Sequence, residues 1–202
     1  MRQVIAAQSA ADKDESIQAS EQVVPGQPDM WVFVLFEGLT FGAYFVVYML
    51  YRMGNPDLFL RSQARLNPEF GVANTLVLLT SSWFMARCVR SARRADYRAA
   101  LVNVSLTAVC GLLFVGSKIF EWSIKIHQGL VFSTNEFFWF YYFLTAIHVL
   151  HVLIGFIVLG VVMYQLAGRG RRSQEIVETG ATYWHMVDFL WVIIFALIYV
   201  MR

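Results

Sequence analysis

The sequence predicts an all-α polytopic membrane protein with five transmembrane helices. Composition is the first reason: of 202 residues, 58% are hydrophobic and 15% charged, against about 25% charged in soluble domains. Patterning is the second. Five apolar stretches are each about as long as a bilayer crossing needs, ~20 residues, and short polar segments separate them. The third is the stretch 137–166, almost unbroken in its apolar character, with His148 and His151 near its middle. An ionisable side chain inside a span costs free energy to bury and is a functional hypothesis by default.

The same composition excludes other classes. A net charge of +2 offers no footprint for a nucleic-acid partner. The two cysteines, Cys88 and Cys110, form neither a disulfide framework nor a CxxC metal site. Residues 1–28 lack the apolar core of a signal peptide. They read as a polar, disordered cytoplasmic tail, ahead of one membrane domain over 29–202.

The expected spans are about 30–51, 72–89, 99–121, 137–166 and 183–201. Pro25-Gly26-Gln27-Pro28-Asp29 stops helix upstream, and Asp29 is placed to cap the first span. Glu37 interrupts that span about a third of the way along. Gly38 and Gly42, four apart, are a small-xxx-small step for close approach of another helix. The connection 52–71 reads as a loop with turns at Asn55-Pro56-Asp57 and Asn67-Pro68-Glu69. In the second span Asn74, Thr75 and Thr80-Ser81-Ser82 make one side polar and small, suited to hydrogen bonds across to another helix. The third span closes with Lys118 and Glu121, three apart and able to pair. Asn135 or Ser133 caps the fourth. Residues 167–182 read as a loop. The fifth span starts at Tyr183-Trp184, a pair suited to the membrane interface, as is Trp191.

Lys and Arg set the orientation. The N-terminal tail and the second and fourth loops carry ten, the first and third loops and the C-terminus five. The positive-inside rule then puts the N-terminus in the cytoplasm and the C-terminus in the periplasm. At ~1.5 Å per residue, Glu37 lies ~10 Å below the inner boundary. His151 lies ~9 Å from that boundary in a ~30 Å core, with His148 nearer the midplane. His185 and Asp188 fall at roughly 3–8 Å. Glu37, His151, His185 and Asp188 are thus expected in one inner layer, with Glu37 facing the bundle toward His151. Asn74, Lys118 and Glu121 form a separate layer at the outer end.

Each residue type supports a sharp and a plain reading. His148-x-x-His151 has the spacing of a metal pair, and with His185 it offers imidazoles for haem. A di-iron bundle wants Glu-x-x-His motifs on two helices and further glutamates, and these are absent. Histidines hydrogen-bonded between helices, or touching a partner subunit or lipid, are the plainer readings. A lone Glu37 is a weak signal for a proton relay, which needs a chain of such groups. Trp184-His185-x-x-Asp188-x-x-Trp191 puts His, Asp and Trp along one stripe with no nucleophile. A small transporter would show inverted repeats and broken helices, for which five spans without a mid-span proline give no support. The sequence therefore assigns no catalytic, cofactor-binding or metal residue. The arginine run 87–98 is a topology determinant, with anionic lipid contact as the alternative.

One pattern is more specific. Glu37 stands in the first span and Asn74-Thr75-Leu76 opens the second. Lys118-x-x-Glu121 closes the third, and Leu144-Thr145-Ala146-Ile147-His148-Val149-Leu150-His151-Val152 fills the fourth. Trp184-His185-Met186-Val187-Asp188-Phe189-Leu190-Trp191 fills the fifth. This order and spacing resemble subunit III of the haem–copper oxidases, over about residues 28–200. The family's seven-helix members have two further helices at the start, which this sequence lacks. The segments 25–33 and 76–82 and the short length look most like the five-helix members associated with bacterial nitric oxide reductase. Five-helix quinol oxidase subunits are the close competitor.

The resemblance implies a non-redox accessory subunit of a respiratory haem–copper complex in the bacterial inner membrane. Such a subunit packs beside the catalytic subunit, holds phospholipid, and supports assembly and sustained turnover. Glu37 matches the family's membrane-buried, carbodiimide-reactive glutamate.

Overall fold

A computed structural model describes residues 27–168 and 172–201. Residues 1–26 of the expected tail, and Arg169 and Arg171 of the fourth loop, lie outside the described residues. The helices are α1 (Pro28–Gly54), α2 (Pro56–Gln63), α3 (Pro68–Arg93), α4 (Tyr97–His127), α5 (Glu136–Ala167) and α6 (Gln174–Phe195). A π-helical turn, Ala196–Val200, continues α6. All but α2 are long and apolar enough to cross a membrane.

Helix starts follow local chemistry. Proline occupies the first turn of α1, α2 and α3, where the missing N–H is no loss. Side-chain oxygens cap four helices: Asn67 accepts from Glu69 N, Asp96 from Ala99 N, Asn135 from Phe138 N and Ser173 from Ile176 N. At α1 the position before the helix is Gln27, which gives no side-chain cap. Asp29 instead lies in the first turn, where its charge complements the helix dipole. Between α3 and α4 only Arg94, Ala95 and Asp96 intervene, and Ala95 turns the chain at φ 59°.

The connection 52–71 contains a helix where turns were expected. Asn55-Pro56 is the start signal of α2 rather than a reversal. Phe59, Ser62 and Gln63 of α2 are buried against the bundle. The last helix also begins well before Tyr183. The expected loop 167–182 is helical from Gln174 on, and Glu178 in this segment is held by Arg93 of α3 at 2.9 Å.

The neighbours of each helix show which is the most enclosed. α6 packs against α1, α3 and α5, while α4 packs against α3 and α5. In the apolar stretch of α6, 61% of residues are buried, compared with 33% in α5. α6 is the most enclosed span, and the long histidine helix packs against α1, α2, α4 and α6. The enclosure of α6 takes in its tryptophans. Trp184 and Trp191 are buried at 1% and 0% exposure, so they are core residues and not interfacial ones. Their indole N–H groups donate to Ser81 Oγ at 3.0 Å and Thr75 Oγ1 at 3.1 Å. Ser81 in turn donates to Thr107 O at 3.1 Å. The small polar side of α3 thus bonds to both α4 and α6, as interhelical polar groups in membranes do. Thr80 is the exception and bonds Leu76 O of its own helix.

Close packing depends on two glycines facing Trp184. A Cβ on Gly155 would lie 2.8 Å from its ring, and one on Gly111 3.0 Å. Gly38 and Gly42 behave differently: a Cβ there would meet nothing within 4 Å. Their face does not seat a helix but lines an open cleft of about 690 Å³ between α1, α3 and α6.

Candidate functional site

Three polar centres lie inside the apolar bundle. The first joins α1 to α5. Glu37 Oε2 is 3.3 Å from His151 Nε2. The imidazole's other nitrogen, Nδ1, is 2.8 Å from Ile147 O, one turn back on α5. A carbonyl only accepts, so Nδ1 carries a hydrogen. Nε2 is the nitrogen that faces the carboxyl. Phe41 packs edge-on to the imidazole with ring centres 5.3 Å apart. Tyr183 OH donates to His151 O at 3.0 Å, so α1, α5 and α6 meet here.

The second centre is on the α3 side of α6. His185 Nδ1 is 2.7 Å from Ser82 Oγ, and His185 lines the cleft with Gly38 and Gly42. Asp188 lies one turn further along α6 and is buried, and neither carboxylate oxygen has a hydrogen-bond partner among the described residues. The expected single layer is therefore divided. Glu37 and His151 pair, whereas His185 bonds across to α3 and Asp188 is deeper in the bundle. The division is by helix face rather than by level: Tyr183 reaches His151 and His185 lines the cleft beside Gly38, but His185 turns toward Ser82 of α3 instead of toward Glu37.

The third centre lies near the α2 end. Lys118 and Glu121 are 0% and 1% exposed and joined at 2.9 Å. Lys118 Nζ also donates to Tyr199 OH at 3.0 Å, and Tyr199 OH donates to Glu121 Oε1 at 2.6 Å. Every partner is charged or hydroxylic, which is what a buried ion pair needs to offset its desolvation. Rings of Tyr141 and Trp191 face the ammonium, each 5.1 Å from Nζ. Tyr199 was not read from the sequence as part of this layer. It arrives through the π-helical turn, which buries Leu197, Ile198 and Tyr199 in succession. Two α1 residues close that turn: Tyr48 OH donates to Leu197 O at 3.1 Å and Arg52 to Met201 O at 2.8 Å.

His148 and Asn74 complete the set. His148 is fully buried between Phe114 and Trp191, ring centres 5.4 and 5.2 Å away. Neither of its nitrogens has a partner, nor does Asn74 Nδ2. Of the histidines in the spans, only His185 makes a side-chain bond to α3; His148 makes none. An unsatisfied buried polar group costs about 1–3 kcal/mol. Among the described residues, no three His, Cys, Asp or Glu side chains gather as a metal site.

A five-span bundle with polar centres between helices defines a class of integral membrane protein. The comparisons give the family. A model of cytochrome c oxidase subunit III matches residues 26–202. The chain is 31% identical to cytochrome c oxidase subunit 3 of Thermostichus vulcanus, over 84% of each chain. It is 29% identical to cytochrome c oxidase subunit 3 of Synechocystis, over 87% of this chain and 78% of that one. It is 28% identical to a haem–copper oxidase subunit I+III of Aeropyrum pernix, over 84% of this chain and 22% of that longer one. The chain belongs to the cytochrome c oxidase subunit III family.

Proposed function

We propose that this chain is the accessory subunit III of a respiratory haem–copper complex. It lies in the bacterial inner membrane with its N-terminus in the cytoplasm. It packs beside the catalytic subunit, binds no redox centre of its own, and supports stability, assembly or sustained turnover. The family match over nearly the whole described chain carries this reading. The A. pernix relative adds support, since its name joins a subunit III to a subunit I in one polypeptide.

The finer reading is a partner that reduces nitric oxide, supported by the resemblance of residues 25–33 and 76–82 to the short nitric oxide reductase-associated members. Oxygen is the second reading, supported by relatives named cytochrome c and quinol oxidase subunits. A phospholipid is the ligand we assign to the α1–α3–α6 cleft. Its walls are mainly apolar, with Arg90 and the Arg93–Glu178 pair at one end and Arg90 to meet an anionic headgroup.

Deleting the gene tests the function. The proposal expects less catalytic subunit in the membrane, or activity that declines faster over successive turnovers. Comparing nitric oxide with oxygen consumption in the same membranes identifies the substrate. Unchanged amounts and unchanged turnover for both gases would contradict the accessory role.

A further inference from the structure

Polar atoms without protein partners collect around the Lys118–Glu121–Tyr199 centre. Both nitrogens of His148 and both amide atoms of Gln63 have none among the described residues, and Tyr141 OH faces Tyr199 and Glu121 without a well-formed bond to either. Tyr141 and His148 are 0% exposed and Gln63 7%. The rings of Tyr141 and Tyr199 are 6.5 Å apart. His148 stacks obliquely on Trp191, whose face also receives Lys118 Nζ. A recess of about 360 Å³ opens beside α2, lined by Leu60, Gln63, Ala64, Leu66, Pro68 and Tyr199. Tyr199 is therefore common to the recess and to the buried charges.

Buried polar atoms in folded proteins are hydrogen-bonded, and where no protein group serves, an enclosed water with two to four polar partners does. Apolar voids stay dry; this region is not apolar. A π-helical turn ends α6 at this position. Here the turn carries Tyr199 into place.

We infer that the recess beside α2 is the mouth of an internal hydration site. Water enters past Gln63 and Tyr199 and bridges the Lys118–Glu121 pair to Tyr141 and His148. The ligand is water, and with it exchangeable protons, reaching the bundle interior from the α2 face. Glu37 and His151 take no part in this route. The site stands whatever the catalytic partner reduces.

Hydroxyl-radical labelling by synchrotron radiolysis of native membranes tests this, because radicals form from water next to the side chain they label. Each target has an equally buried control of the same type: Tyr48, whose OH is bonded to Leu197 O, for Tyr141, and Trp184, which packs on Gly111 and Gly155 away from Lys118 and His148, for Trp191. Mass spectrometry should find Tyr141 and Trp191 labelled severalfold faster than Tyr48 and Trp184. Equal rates would overturn the hydration site. Gln63→Leu, on the short peripheral helix, should slow both targets. If that variant keeps wild-type rates while Tyr141 and Trp191 remain fast, the entry route is wrong.

Discussion

Glu37 of α1 and His151 of α5 meet at 3.3 Å, Oε2 to Nε2, while the Ile147 carbonyl holds the hydrogen on the far imidazole nitrogen. The contact matters because α1 is the least buried span, with 6% of its apolar stretch enclosed. Glu37→Gln keeps a donor for Nε2 and should cost little. Glu37→Leu removes it and should destabilise by about 1 kcal/mol, the usual scale of an interhelical bond in a membrane. Reversible unfolding in mixed micelles measures both. A leucine variant as stable as the glutamine variant would leave the pair without a structural role.

The same geometry sets carbodiimide reactivity. Glu37 keeps 15% of its side chain exposed beside α1, whereas Glu121 is enclosed at 1%. Dicyclohexylcarbodiimide in membranes should label Glu37 and spare Glu121, as peptide mass mapping would show. Labelling confined to Glu121 would contradict this arrangement.

Lys118 has no exposed surface and two polar contacts, to Glu121 and Tyr199, which are bonded to each other. Lys118→Met leaves a buried carboxylate without its counter-charge and should cost about 3–5 kcal/mol. Lys118→Met with Glu121→Gln should recover a large part of that loss. A double variant as unstable as the sum of the single ones would show that the two residues are not coupled.

Glycines of opposite environment give a paired test. Gly155→Ala pushes a methyl group against Trp184 and should destabilise by about 1–3 kcal/mol. Gly42→Ala adds a methyl to the open cleft and should be neutral or slightly stabilising, by up to about 1 kcal/mol through helix propensity. Thermal unfolding in detergent separates them, and a reversal of the order would place the helix contact on the wrong face.

Much of this architecture is legible in the sequence because a membrane permits few backbones. Five spans follow from apolar length, and counting residues along antiparallel helices is enough to set Glu37 level with His151. Other features depend on context. The start of α6 was hidden because Glu175 and Glu178 suit a loop until Arg93 supplies a partner. Pro56 reads equally as a turn or as the first residue of a helix, and burial of Phe59 decides it. Trp184 and Trp191 follow the interfacial habit of tryptophan until Ser81 and Thr75 satisfy their indoles in the core. Tyr199 could not be assigned by helical periodicity, since the π-helical turn changes the register just before it.

The central claim is that this chain serves a catalytic subunit and carries no redox centre. Tagging it in cells that express the neighbouring respiratory genes, purifying in mild detergent and recording the absorption spectrum tests both parts at once. The account predicts that a haem–copper catalytic subunit comes down with the tag, and that all haem absorbance follows that subunit when the two are separated. A chain recovered alone, or one that keeps a Soret band in equal proportion to itself after separation, would contradict it.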